Sequence, residues 1–164
     1  MLYLELDEGI QELIKKYAPA LTTIGVDFLN QDVEEAIYYC PEDLEDAFRT
    51  TVSYWYRKQN NGENFGSPNS FLIKAIKKNW HPYQWNNNWL ENRIFKSEGM
   101  KWWDEAEVHW GRDKRNYLVV DIQETIIGTK AKIIFRSGKS IDLRRVGRMS
   151  WEELLEYAEG SYRK

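Results

Sequence analysis

Apolar residues recur at helical spacing over most of the first hundred positions of the chain. The apolar positions from Ile10 to Tyr17 share one face of a first predicted helix, Asp7–Tyr17, which Pro19 is expected to stop. A second predicted helix, Val33–Tyr39, follows a cap at Asp32. The pattern therefore begins with two short helices.

Two stronger helical patterns follow. The third helix is expected to open at Pro41–Asp43, because proline in a first turn and acids beside it suit the helix dipole, and to end near Lys58. The polar stretch Asn60–Asn69 predicts a loop. Ser67 is expected to cap the fourth helix, Pro68–Asn79, which Pro82 ends. Its polar face carries Lys74, Lys77 and Lys78.

The helical periodicity of apolar residues is weaker between positions 81 and 116. Leu90–Phe95 is expected to be a short helical segment, and the aromatic spacing of Trp102–Trp110 predicts one further helix between Gly99 and Gly111. The period then changes to two, which predicts strands over 117–123, 130–136 and 141–143. In the first strand Leu118, Val120 and Ile122 are expected to share a face; in the second, Ala131, Ile133 and Phe135.

A capping box at Ser150–Glu153 predicts a last helix, Trp151–Tyr157. The expected fold is therefore of the α+β class, with a helical lobe over residues 1–98 that contains an acidic arm and a basic helical hairpin. A small α+β lobe with a three-stranded antiparallel meander flanked by helices follows over residues 99–164.

Composition narrows the class of protein. Cys40 is the only cysteine, which excludes an intramolecular disulfide and a cysteine-based zinc site. No apolar run approaches the roughly 20 residues of a membrane span, and Met1–Glu5 lacks a basic signal region, so a soluble cytoplasmic protein without membrane contact is expected. The chain is rich in aromatic residues, with eight tryptophans. Such richness is typical of a heavy core, a stacking surface or an interface.

The net charge of −3 conceals an uneven distribution. Residues 1–47 carry twelve carboxylates against two lysines, whereas residues 48–164 carry fourteen acids against twenty-one lysines and arginines. Such asymmetry suggests a polyanion-binding part beside an acidic arm. The alternative is that acidic and basic surfaces complement each other within one fold.

The pattern gives no positive signal for catalysis. His81 and His109 lack the spacing of a metal site. Asp121 and Lys132 suggest a metal nuclease, but Lys130 stands where a second acid is needed. We therefore predict a protein that is not an enzyme and has no metal or cofactor. An enzymatic alternative would have to use Asp104, Glu105, Glu107 and Asp121.

Two basic sets are the candidate phosphate contacts, because cations at such spacing release condensed counterions when they neutralise phosphates. One belongs to the helical hairpin and comprises Arg57, Lys58, Lys74, Lys77 and Lys78; the other belongs to the meander and comprises Lys130, Lys132, Arg136 and Arg144. The two sets are expected to form one continuous track. Trp85 and Trp89, interleaved with amides, are candidate residues for stacking unpaired bases, or else parts of the core.

The helical lobe also resembles a known module. Its sequence runs from Gly25-Val26 through Leu44-Glu45-Asp46-Ala47-Phe48 to Ser67-Pro68-Asn69-Ser70-Phe71-Leu72-Ile73-Lys74-Ala75-Ile76 and Trp80. Over about residues 24–82 it resembles the helical module of plasmid and phage replication-initiator-like proteins, and loosely the C-terminal domain of DnaD-type primosomal proteins. Ser67 stands where that module has Asn, and Ser70 where it has Gly.

The resemblance implies DNA rather than RNA as the partner, and it supports Lys74 as a DNA-facing residue. Residues 100–164 resemble accessory regions of cyanobacterial regulators of this kind. The predicted function is therefore that of a non-enzymatic DNA-binding protein in replication or transcription. The alternative is a protein-interaction adaptor that uses an aromatic surface and the acidic N-terminal arm.

Overall fold

The computed structural model describes residues 2–125 and 130–160. Within these ranges the chain forms eight α-helices and a three-stranded antiparallel sheet, and the N-terminal helices precede the strands. The predicted α+β class is confirmed. The chain divides into two compact units, Met1–Lys96 and Ser97–Lys164, and each is treated separately below.

The first unit is helical. Its α-helices are α1 (Glu8–Ile24), α2 (Gln31–Tyr39), α3 (Leu44–Asn60) and α4 (Pro68–Lys77), and short 3-10 turns occur at Leu2–Glu5, Asn87–Glu91 and Arg93–Phe95. Helix α3 packs against α1 and α4, and α2 packs against α4. The fully buried side chains include Tyr17, Phe28, Phe48, Leu72 and Ile76. The predicted helical segment Leu90–Phe95 is thus two 3-10 turns.

Helix α1 passes through Pro19, contrary to the expectation that it would stop there. Proline inside a helix costs about 3 kcal/mol, because it removes one hydrogen bond and crowds the preceding turn. The following turn buries Ala20 and Leu21 almost completely, which offsets that cost. The helix ends instead at Gly25, whose φ of 124° disfavours any other residue and whose Cβ, if present, would lie 3.0 Å from the Pro68 ring.

The other helix starts differ from the predicted ones in two places. Asn30, not Asp32, caps α2, and its side chain accepts hydrogen bonds from the backbone of Asp32 and Val33. Helix α3 begins at Leu44 rather than at Pro41, because Asp43 takes a left-handed conformation with φ of 55° that separates the proline from the helix. Both termini are set by backbone turns that a pattern of apolar positions does not reveal.

Helix α4 begins as predicted and ends earlier. The Ser67 side chain caps it by accepting a hydrogen bond from the backbone of Ser70. The helix stops at Lys77, well before Pro82, because Asn79 has a φ of 52° that reverses the chain. Among the described residues, no helix is both long enough and apolar enough to cross a bilayer.

The second unit has helices before and after the sheet in sequence. Its elements are α5 (Glu98–Trp110), α6 (Arg112–Leu118), β1 (Val119–Glu124), β2 (Ala131–Phe135), β3 (Ser140–Asp142), α7 (Leu143–Val146) and α8 (Trp151–Glu159). The strand order is β1-β2-β3 and both pairs are antiparallel. The predicted capping box at the start of α8 is present.

The sheet buries one face against α5 and α8. Ile133 and Phe135 of β2 lie in a core with Trp102, Ala106 and Leu154, as the alternation in this strand predicted. The prediction for β1 was wrong in two respects. Residues 117–118 end helix α6, and a bulge between positions 119 and 121 leaves the Val120 side chain 52% exposed. Leu143, predicted to be in the third strand, begins α7.

Arg115 is a buried charge that ties α6 to α5. The residue is 6% exposed, and its guanidinium lies 3.9 Å from the centroid of the Trp103 ring. It donates hydrogen bonds to the Glu107 carboxylate at 3.0 Å, to the Trp103 carbonyl at 3.2 Å and to the Asn116 side chain. Because the charge is both paired and stacked, this contact is expected to stabilise the unit.

Replacement of Arg115 by alanine should loosen α6. The variant removes the stacked cation, the ion pair with Glu107 and the second hydrogen bond to the Trp103 carbonyl, for an expected loss of about 1–3 kcal/mol. Hydrogen exchange at the amides of α6 measures this change within the unit. Arg112→Ala removes an exposed arginine of the same helix and is the control. Equal protection in the two variants would contradict the assignment.

Candidate functional site

The 80–92 segment follows α4 and lies along α3, with contacts from Asp46 near the start of that helix to Tyr56 near its end. Thr50 donates a hydrogen bond to the Trp80 carbonyl at 3.4 Å, and the Tyr56 hydroxyl donates to the Trp89 carbonyl at 3.0 Å. His81 and Asp46 are joined by a 2.5 Å contact between Nδ1 and a carboxylate oxygen. Asp46 and Thr50 lie one turn apart on α3, and Tyr56 lies further along the same helix, so side chains of α3 hold both ends of the segment.

Two clefts open between α3 and this segment, with volumes of about 240 and 340 Å³. Ser53, Arg57 and Tyr83 line both of them, so the clefts meet along one line; together they are called the α3 groove. The first cleft is completed by Tyr56, Asn60, Asn61, Gln84 and Trp89, and the second by Thr50, Tyr54, Phe71, Trp80 and His81. The groove is thus lined by aromatic rings, amides and one arginine.

Tyr83 stands at the junction of the two clefts and is 86% exposed. No other large hydrophobic side chain in the described ranges is exposed to this extent. Because Tyr83 lines both clefts, its exposed ring is accessible to a flat ligand that enters either of them.

Arg57 is exposed at the same junction, and its guanidinium lies 5.2 Å from the Tyr54 ring centroid. Its neighbour Lys58 differs, because its ammonium contacts the Glu63 carboxylate at 2.6 Å. This hydrogen bond raises the pKa of Lys58 and lowers the pKa of Glu63. A phosphate would have to displace Glu63 before it could contact Lys58. The charge of Arg57 also acts on Glu63, but among the described residues Arg57 forms no ion pair with it.

The three lysines at the C-terminal end of α4 are all exposed. Lys74 and Lys77 lie one turn apart on the helix, and Lys78 follows as its C-cap residue. None of them forms an ion pair with the part of the chain that the structure describes. The Lys78 ammonium lies 6.0 Å from the centroid of Trp80, a lining residue of the second cleft. Positive charge therefore borders the α3 groove.

The two predicted stacking tryptophans occupy different environments. Trp89 lines the first cleft and stacks on Tyr56, with ring centroids 4.7 Å apart. Trp85 lies outside both clefts, against the Arg49 guanidinium at 5.1 Å and the Tyr17 ring at 6.1 Å. Trp85 thus anchors the segment to α1 and α3, and only Trp89 is in the groove.

Tyr17 is the centre of a polar network beneath this anchor. Its hydroxyl donates to the Glu45 carboxylate at 2.9 Å and accepts a hydrogen bond from Arg49 Nε at 2.8 Å. The Lys16 ammonium approaches the same carboxylate at 3.5 Å. Burial raises the pKa of Tyr17 from 10.0 to about 12.

The second predicted basic set lies on the other unit. Lys130, Lys132, Arg136 and Arg144 are all exposed. Lys132 has Gln123 and Asp142 as its cross-strand partners, and Arg144 approaches the Asp142 carboxylate at 3.9 Å. Arg136 donates to the Tyr117 carbonyl at 2.7 Å. Two members of this set, Lys132 and Arg144, thus lie beside the carboxylate of Asp142.

Asp121 pairs across the strands with Ile134 and Lys132 pairs with Gln123, so Asp121 and Lys132 are not directly opposite each other. Of the other carboxylates considered for catalysis, Glu107 is bound to Arg115. Within residues 2–125 and 130–160 no three histidine, cysteine or acidic side chains are arranged to hold a metal ion.

Comparison of the chain with protein-family models, with curated proteins and with solved structures finds no match. The resemblance of residues 24–82 to replication-initiator and DnaD-type modules stays a prediction from the sequence alone.

The site also contains residues that the sequence pattern does not single out. Tyr83 lies two residues before Trp85, but only Trp85 and Trp89 are predicted from the sequence as stacking candidates. For Asn60 and Asn61 the pattern indicates only the end of a helix. The available signal is that Tyr83 follows Pro82 in a stretch without helical or strand periodicity, so no buried face is predicted for it.

The Tyr17 network predicts a loss of stability at alkaline pH. In the unfolded chain Tyr17 ionises near pH 10, and in the folded chain near pH 12, so its contribution to stability is constant below pH 10 and falls between the two. The loss is at most about 2–3 kcal/mol. Urea unfolding at pH 8–11.5 should show a smaller decline for Tyr17→Phe than for wild type. Tyr39→Phe, at an exposed tyrosine, should behave like wild type; a Tyr17→Phe decline equal to that of wild type would refute this account.

Proposed function

We propose that the chain binds nucleic acid, without catalysing a reaction, through the α3 groove and the exposed lysines of α4. The observation that carries this proposal is the junction of the two clefts, where an exposed arginine and an exposed tyrosine stand together. Phosphates attract cations at such positions, and bases attract aromatic rings.

The charges around the groove support the same partner. Arg57, Lys74, Lys77 and Lys78 are exposed, and the lining residues of both clefts include no carboxylate. Asp46, which lies beside the second cleft, is held by His81. Each phosphate that a cation neutralises releases condensed counterion, so four such contacts provide most of the free energy of non-specific binding.

The sheet cations are secondary in this proposal. Lys132 and Arg144 lie beside the negative charge of Asp142. A phosphate therefore gains less electrostatic free energy there than at the lysines of α4. Lys130 and Arg136 remain candidate contacts. The acidic residues of positions 1–47 would limit non-specific binding, because they repel phosphates that approach from α1 and α2. A role in replication or transcription, and DNA as the natural partner, rest on the resemblance of residues 24–82.

A protein partner is the second candidate. Leu29, which precedes helix α2, and Tyr39, its last residue, are 60% and 70% exposed in the acidic part of the chain. Exposed apolar side chains beside acids suit a basic protein surface. This adaptor function would use α2 instead of the α3 groove, so variants of the α4 lysines would leave it intact.

The salt dependence of DNA binding tests the first candidate. Affinity for a short DNA should fall at least about 10-fold between 50 and 200 mM salt. The triple variant Lys74→Gln, Lys77→Gln, Lys78→Gln should bind more weakly than wild type. The slope of the logarithm of its binding constant against the logarithm of the salt concentration should be smaller in magnitude. The expected decrease is about one for each phosphate that these lysines neutralise in wild type.

The matched control is Arg112→Gln, Lys114→Gln, Arg148→Gln, which changes the net charge equally at three exposed positions of the second unit. It should leave the affinity within about twofold. No binding at 50 mM salt, a flat salt response, or equal losses of affinity in the two triple variants would each contradict nucleic-acid binding by this surface.

A further inference from the structure

We infer that the ligand of the α3 groove is single-stranded nucleic acid, with unpaired bases stacked against Tyr83 in the two clefts. This inference rests on the proposed function and specifies its ligand. A duplex offers its phosphates outward and hides the faces of its bases, so it would contact the cations and leave the aromatic groove empty.

The position of Tyr83 is the first argument. A ring that is 86% exposed and lines two adjoining clefts is accessible to a flat ligand from either cleft. Stacking on an aromatic side chain is the common way in which proteins hold successive unpaired bases. In the first cleft Trp89 is a second ring, already supported on one side by Tyr56.

The chemistry of the two clefts differs, and the difference suits bases. The first contains Asn60, Asn61 and Gln84, whose amides both donate and accept hydrogen bonds. Amides of this kind pair with the exposed edges of unpaired bases. The second is lined mainly by rings and favours stacking without discrimination. Any base preference is therefore expected to arise in the first cleft.

The cations lie where they could contact the phosphates that join two bound bases. Arg57 lines both clefts, so a phosphate between two bound bases would lie beside it. Lys78 approaches Trp80 at the second cleft and extends the positive charge beyond it. A neutral or basic peptide in the same groove would gain from the rings but not from these charges, so charge complementarity favours a polyanion.

The test compares a labelled 12-nucleotide strand with the duplex of the same sequence by fluorescence anisotropy at 50 mM salt. Wild type should bind the single strand more tightly. Tyr83→Ala should weaken single-strand binding roughly 5- to 150-fold, the effect of losing one stacked base, and change duplex binding less than twofold. Its salt slope should equal that of wild type, because the substitution leaves every phosphate-binding cation in place.

Two further variants separate stacking from other effects. Tyr83→Phe keeps the ring and should retain most of the affinity. Tyr39→Ala removes an exposed tyrosine outside both clefts and should have no effect. Because the side chain of Tyr83 is exposed, its removal is not expected to unfold the unit; circular dichroism checks this point.

The outcomes separate the two proposals. If wild type binds neither DNA at 50 mM salt, the proposed function fails and the inference fails with it. If wild type binds with the expected dependence on the α4 lysines, but prefers the duplex or is insensitive to Tyr83→Ala, the function stands and the single-strand inference is overturned.

Discussion

The attachment of the 80–92 segment to α3 is the constraint on which the candidate site depends. The segment contains no α-helix or strand of its own, and its position is set by side chains of α3, together with Tyr17 of α1. Asp46, Thr50 and Tyr56 bind it through hydrogen bonds, and the Tyr56 ring also stacks on Trp89. Without these contacts the two clefts would not exist, because the segment forms their outer wall.

This arrangement accounts for much of the aromatic content of the first unit. Trp85 and Trp89 bury part of their surface against α3 and so supply the apolar area that attaches an irregular segment. Tyr83 precedes them in the chain and makes no such contribution. The rings of Trp85 and Trp89 thus pack on the protein, whereas the ring of Tyr83 in the same segment faces solvent. Because of this difference we assign Tyr83 to ligand contact.

Much of this fold follows from the sequence, and the exceptions have physical reasons. Ser67 and Ser150 cap their helices as predicted, because a cap is a local interaction. The prediction that α1 stops at Pro19 is wrong because the burial of the following turn in the core outweighs the local cost of proline in a helix. The pairing of Lys58 with Glu63 depends on the turn at Asn61–Gly62, which helical spacing does not describe. The exposure of Tyr83 depends on long-range packing, so no local pattern predicts it.

Photochemical crosslinking tests the central claim most directly, because it reports which side chain a base touches. A single strand substituted with 5-iodouracil is irradiated with the full chain, and the modified peptide is identified by mass spectrometry. The account predicts attachment at Tyr83 or Trp89. Retained binding with crosslinks confined to the aromatic residues of the second unit, such as Trp110 or Trp151, would contradict it.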